Sequence, residues 1–171
     1  MKINKKSEQK SEKSEKSKKK KVKFWKIPPR IKVLEAAGAI ADKRIKIKEK
    51  NKLTVAGCIS SLGDKVYEVV YDKSKNAIKS NDNGSLFKGY LGYPSIALLM
   101  LEKVLGFDEK LSNALKGIPW KVLNEKFKNY FKTELVVKQI LRKKGIDEKS
   151  LDKFIEKVLA EIKAKKFKVL E

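Results

Sequence analysis

Residues 80–100 read SNDNGSLFKGYLGYPSIALLM, and they divide the chain into two unlike halves. Upstream, β-branched and aromatic residues gather in short alternating runs. Downstream, apolar residues return every three or four positions, so the period changes from that of strands to that of helices across this one segment. Between the halves, Gly84, Gly89 and Gly92 interleave with Phe87, Tyr90 and Tyr93, and Lys88 is the segment's one lysine in a chain that holds 43 Lys and Arg. The run that follows, Pro94 to Leu105, is apolar nearly all round and predicts a buried central helix.

Working back from the segment, RIKIKEK (44–50), KLTVAGCIS (52–60), KVYEVVYD (65–72) and NAIKS (76–80) predict strands separated by Asn51, SLGDK and DKSKN. Together they predict a small antiparallel sheet of about four strands over about 44–80. The alternation in Arg44-Ile45-Lys46-Ile47-Lys48 gives its first strand one wet, basic face. Before the sheet, Pro28 and Pro29 suit a helix opening, and Ile31, Leu34, Ala37 and Ala41 recur at helical spacing over about 30–41. Trp25 and Ile27 are expected to fold back on that helix as a lid. Working forward, DEKLSNALKG ends at Gly117, PWKVLNEKFKNYF opens on Pro119, TELVVKQILRKKG stops at Gly145, and a last helix is capped by Asp147. The fold class is α+β: an N-terminal helix, the sheet, and a helical C-terminal half over about 94–166, in one domain spanning 24–171.

Residues 1–23 are built from Lys, Ser and Glu, with no apolar residue between Ile3 and Val22. Such a segment cannot bury enough surface to offset the entropy of ordering, and it reads as a disordered basic arm. It has no apolar stretch behind its lysines, so it is not expected to be a secretory signal, and the protein reads as cytoplasmic. The arm serves either as a solubilising tail or, through Lys18, Lys19, Lys20 and Lys21, as a phosphate-binding segment. The whole chain carries +22, which favours polyanionic partners. Its abundant Lys, Glu and Ile fit a thermophile surface. The longest apolar run, Ile96 to Leu101, is far below the roughly twenty residues of a bilayer span.

Chemistry is scarce. There is no histidine and one cysteine, Cys58, so neither a disulfide, a Cys–His pair nor a Cys/His zinc site can form within the chain. Cys58 lies between Gly57 and Ile59 in a strand and reads as a buried hydrophobe. Asp42, Asp64, Asp72 and Asp82 all fall at turns, where aspartate satisfies local N–H groups. Neither GDK (63–65) nor GSLFKG (84–89) has the spacing of a P-loop. The chain reads as non-enzymatic, with no cofactor.

The order of hairpin, polar loop NDNGS, aromatic loop and YPSIALLML helix resembles the SWIM family of zinc-binding modules over residues 60–102. In that family a Cys-x-Cys ends the hairpin and a Cys-x-His opens the helix. The matching positions hold Ile78, Ser80, Ser95 and Ala97, so the resemblance implies a module whose metal has been replaced by packing. The stretches IPPRIKVLEAAGAIAD, SNDNGS and GYLGYP also look like an uncharacterised archaeal protein family. What the SWIM resemblance implies is binding of DNA or protein partners.

The residues themselves give the same class. Phe87, Tyr90 and Tyr93 beside Lys79 and Lys88 would stack on single-stranded bases if exposed, or pack over the following helix if buried. In WKVLNEKFKNYFKTELVVKQILRKKG, the lysines and Arg142, Lys143 and Lys144 form either a solvated face or a helix-turn-helix-like phosphate contact. The expected function is nucleic-acid binding, RNA or ribosome association slightly ahead of DNA, with a protein-interaction adaptor as the alternative. No feature of the sequence sets an oligomeric state.

Overall fold

A computed structural model describes residues 21–171; the arm's Lys18, Lys19 and Lys20 lie outside the described residues. Strands β1 (Ile45–Lys50), β2 (Thr54–Ile59), β3 (Val66–Asp72) and β4 (Ala77–Ser80) form an antiparallel meander. Ile47 pairs with Ala56, Ala56 with Val69, and Tyr71 with Ile78. A fifth strand, β5 (Lys168–Val169), lies parallel to β4, with Ala77 opposite Lys168. A strand of two residues carries no periodicity, which is why the sequence predicts four. Past Ile45, β1 is exposed on both faces, not one, because the helical layer covers this edge strand only at its start. Its lysines are what such an edge needs to resist pairing with another chain.

The two ends of the described chain are clasped together. The Trp25 N–H donates to the Phe167 carbonyl at 3.0 Å, and the Val169 N–H to the Lys23 carbonyl at 2.8 Å. The Trp25 indole N–H donates to the Ile78 carbonyl at 2.9 Å. Trp25 therefore folds back onto the β4–β5 edge, whereas Ile27 stays 47% exposed and covers nothing as a lid would.

The helices are α1 (Ile31–Ala41), α2 (Tyr93–Leu101), α3 (Glu109–Ala114), α4 (Trp120–Phe127), α5 (Tyr130–Lys143) and α6 (Glu148–Lys165). Asp108 and Asp147 cap α3 and α6 by accepting from the N–H groups of Leu111 and Ser150, each at 2.9 Å. A cap of this kind contributes about 1 kcal/mol. The α4–α5 corner falls earlier than the sequence suggests. Lys128 takes the left-handed conformation expected of glycine (φ 49°), and Asn129 then caps α5 by accepting from Lys132 N–H at 3.0 Å. Helix α2 likewise stops at Leu101, short of Leu105, because Lys103 turns left-handed at φ 57°.

Helix α1 is the centre of the molecule. Every residue from Ile31 to Ala39 is buried, and the helix packs against α2, α3, α5 and α6, while α2 covers β1, β3 and β4. Arg30, just before α1, pairs with Glu134 of α5 and Asp152 of α6, and Lys138 pairs with the same two acids. No helix among the described residues is long and apolar enough to cross a membrane.

Candidate functional site

The near-neutral segment between sheet and helices is built around a buried carboxylate. Asp82, 4% exposed, accepts from the Ser85 N–H at 3.1 Å and from the Ser85 hydroxyl at 2.7 Å. This fixes the start of a π-helical turn over Gly84–Lys88. Gly92 lies so close to the Asp82 carboxylate, and Gly84 so close to the Tyr90 ring, that a Cβ at either position would overlap its neighbour. Only glycine fits at these two positions. At the outer side of the turn Leu86 and Phe87 are 61% and 76% exposed, and Lys88 is exposed with them.

Next to this segment an open cleft of about 550 Å³ runs between α1, the β2–β3 turn and α4. Its inner wall is a charged pair on α1. The Lys32 ammonium donates to both oxygens of Glu35, at 3.0 and 2.8 Å, and the Asn124 amide donates to Glu35 Oε1 at 2.8 Å. Glu35 is 3% exposed and Lys32 9%. A buried ion pair is weak evidence for stability, since apolar residues of the same volume do as well or better. The pair is the charged exception in an otherwise apolar helix, and it faces the cleft. The Lys32 ammonium also lies 4.6 Å from the centroid of the Tyr130 ring. Burial opposes its charge, but Glu35 and Tyr130 outweigh burial, and its pKa is raised.

The second wall is aromatic. Tyr67 and Tyr93 meet edge to face, with centroids 6.2 Å apart, and the Arg44 guanidinium stands 5.8 Å over the Tyr93 ring. Burial raises the Tyr93 phenol, and burial together with the Tyr130 side chain raises that of Tyr90. Burial pushes the Cys58 thiol up to about 11, against the opposing pull of Arg44 and Tyr93. The third wall is α4, tied to the β2–β3 turn where the Lys121 N–H donates to the Ser61 hydroxyl at 3.1 Å and its ammonium meets Asp64 at 3.3 Å. Lys65 and Lys128 also line the cleft, and neither has an ion-pair partner among the described residues.

Of the residues that the sequence singles out, Tyr93 lines this cleft together with Lys121 and Lys128 of the C-terminal helical stretch; Tyr90 is half-buried beside it. Phe87 and Lys88 are exposed on the π-helical turn, Lys79 is exposed on β4, and Lys21 is exposed at the first described position. Arg142 pairs with Glu148 at 2.9 Å, and Lys144 donates to the Ala114 carbonyl at 2.6 Å, so two of the three cations that end α5 hold neighbouring elements; Lys143 is exposed. The hairpin β3–β4 does lead into α2, and Ile78, Ser80, Ser95 and Ala97 are all buried. Sequence reasoning missed Lys32, Glu35, Asn124 and Tyr130. The available signal was a lysine and a glutamate three apart in a helix whose other positions are almost all apolar.

Residues 25–168 match the model of a family described as "Uncharacterised conserved protein UCP014422". The match begins and ends on the two segments of the terminal clasp and takes in the whole cleft. No curated protein and no solved structure matches the chain.

Proposed function

The chain belongs to that family, and we propose that its folded body is a non-enzymatic nucleic-acid-binding domain, with single-stranded RNA favoured over DNA. The observation that carries the reading is a large surplus of unpartnered cations among the described residues, two of which, Lys65 and Lys128, line a cleft with aromatic walls. Ion pairs among the described residues engage eight lysines and arginines. The chain has 43, of which nine precede Lys21. Most of the remainder stand exposed without an acid, and such cations bind phosphates by releasing counterions. Single strands add the need for ring faces, which the cleft offers beside its lysines. Against an enzymatic role, Asp82 is fully engaged within its own turn, and a buried thiol raised to about 11 is a poor nucleophile.

The test is binding of a single-stranded RNA oligonucleotide across a salt series. The affinity is expected to fall by an order of magnitude or more between about 50 and 200 mM salt, as several phosphate contacts require. Absence of binding at the low end, or binding indifferent to salt, would sink the reading. The adjacent exposure of Leu86 and Phe87 favours the second reading, a protein-interaction adaptor. In that case RNA binding is absent, and Phe87→Ser removes a protein partner without changing the fold.

A further inference from the structure

We propose that the cleft seats one unpaired nucleotide, its base stacked on Tyr130 and its phosphate held by Lys65, Lys121 and Lys128. The inference rests on the nucleic-acid reading and gives it a site. Tyr130 opens α5 directly after the left-handed Lys128 and the Asn129 cap, so backbone geometry fixes where its ring stands. The Lys32 ammonium lies over the ring, and the residue, which lines the cleft, is 40% exposed. A half-exposed ring, anchored from behind by a buried cation, is a preformed stacking platform.

Around the platform, the charges fit an anion. Lys65 comes from the β2–β3 turn, Lys128 from the α4–α5 corner and Lys121 from α4. Lys65 and Lys128 have no acid partner among the described residues. Lys121 has one, but both members of that pair are solvent-exposed and exchange easily. The acids that line the cleft are Glu35, already committed to Lys32 and Asn124, and Glu125.

A separate observation comes from the polar groups of the wall. Asn124 Oδ1 is buried without a hydrogen-bond partner in a residue that lines the cleft, whereas the unpartnered Trp120 indole N–H lies against Gly38 of α1. Buried polar groups in folded proteins are nearly always satisfied, and one that is not marks a missing partner. A nucleobase edge carries both donors and acceptors. The volume, about 550 Å³, lies within the range of small-ligand sites and admits a single flipped or strand-end nucleotide, not a duplex.

The same chemistry is offered by a residue of an RNA strand and by a free nucleoside monophosphate, so both enter the experiment. The full chain is titrated with a single-stranded RNA oligomer, a blunt RNA duplex of the same sequence, AMP and GMP, and inorganic phosphate, following tryptophan fluorescence, because Trp120 lines the cleft. Binding of the single strand above the duplex is expected, with a fluorescence change that phosphate alone does not produce. Tyr130→Ala should weaken single-strand binding by about fivefold to a hundredfold, as loss of one base stack does. Tyr130→Phe should stay within about twofold of the parent, since it keeps the ring. Lys65→Gln with Lys128→Gln should lower affinity and flatten the salt dependence, with only a small shift of the thermal transition, from loss of the Lys128 cation at the end of α4. If Tyr130→Ala and the lysine double variant bind RNA like the parent, the cleft assignment falls while the nucleic-acid reading survives. If AMP or GMP binds and Tyr130→Ala abolishes it while RNA does not bind, the cleft assignment holds and the nucleic-acid reading falls. If neither RNA nor mononucleotide binds at low salt, both fall.

Discussion

Helices α2 and α4 are nearly the same length, and each has a proline at its start, Pro94 as the second residue of one and Pro119 as the cap of the other, yet they meet opposite fates. In α2 every residue from Pro94 to Met100 is buried, whereas in α4 only Trp120 is. The difference lies in the faces each presents. YPSIALL offers an apolar side in every direction and can be surrounded by α1 and the sheet; WKVLNEKF offers one tryptophan and three other apolar positions among charges. Burial on all sides makes a scaffold. Burial by a single side chain makes a wall that is placed by the scaffold and still faces solvent, which is what a binding surface needs.

The comparison can be broken most severely at the seam between the two regions. Lys32→Met leaves Glu35 buried without its cation and is expected to remove about 3–5 kcal/mol of stability, measured by denaturant unfolding. Replacing both partners, Lys32→Met with Glu35→Leu, should recover most of that loss; failure to recover would mean that the pair itself holds the fold. Inside the scaffold, Leu98→Ala is expected to cost about 2–5 kcal/mol, as deletion from a fully enclosed site does. An effect below 1 kcal/mol would show that α2 is less tightly enclosed than its burial indicates. Gly92→Ala forces a methyl group against the Asp82 carboxylate and should cost about 1–3 kcal/mol. A smaller contribution is visible only in acid. Asp152 sits below the usual carboxylate range, chiefly through its hydrogen bond to Lys138 and further through Arg30. A depressed folded pKa contributes stability above the unfolded value near 4 that is lost as pH falls below it. Asp152→Asn should therefore flatten the acid limb of a melting-temperature curve. On the exposed side of α4, Val122→Ala should stay within about 0.5 kcal/mol, and a larger loss would erase the contrast between the two helices.

Much of the scaffold is legible in the sequence because it is written in periods. The alternation of KVYEVVYD and the all-apolar IALLML identify β3 and α2 without reference to anything distant. The cleft is harder to read because its members lie far apart: Glu35 and Asn124 are 89 positions apart and meet through one hydrogen bond. The α4–α5 corner hides for a different reason. Sequence signals for a helix end favour glycine, and here lysine holds the left-handed position, as it also does at Lys43, Lys103 and Lys166. A cation at a helix C-terminus interacts favourably with the last carbonyls, which offsets part of the steric cost of a Cβ in that conformation. The aromatic segment was half legible. Its glycines and tyrosines mark a place where backbone and rings come close, but whether the rings would face water depends on Asp82 within the segment and on Tyr130 of a distant helix.

The clasp between Trp25 and Phe167 also has a mechanical consequence. Its two segments run antiparallel, with Lys21 and Glu171 leaving from the same end. A force applied between the two chain ends therefore loads the hydrogen bonds one after another, as in opening a zipper, and not all at once as in shearing. The first event under tension is expected to be a soft, low-force peeling that frees β5 from β4 and withdraws the Trp25 indole from the Ile78 carbonyl, before the meander and α1 bear any load.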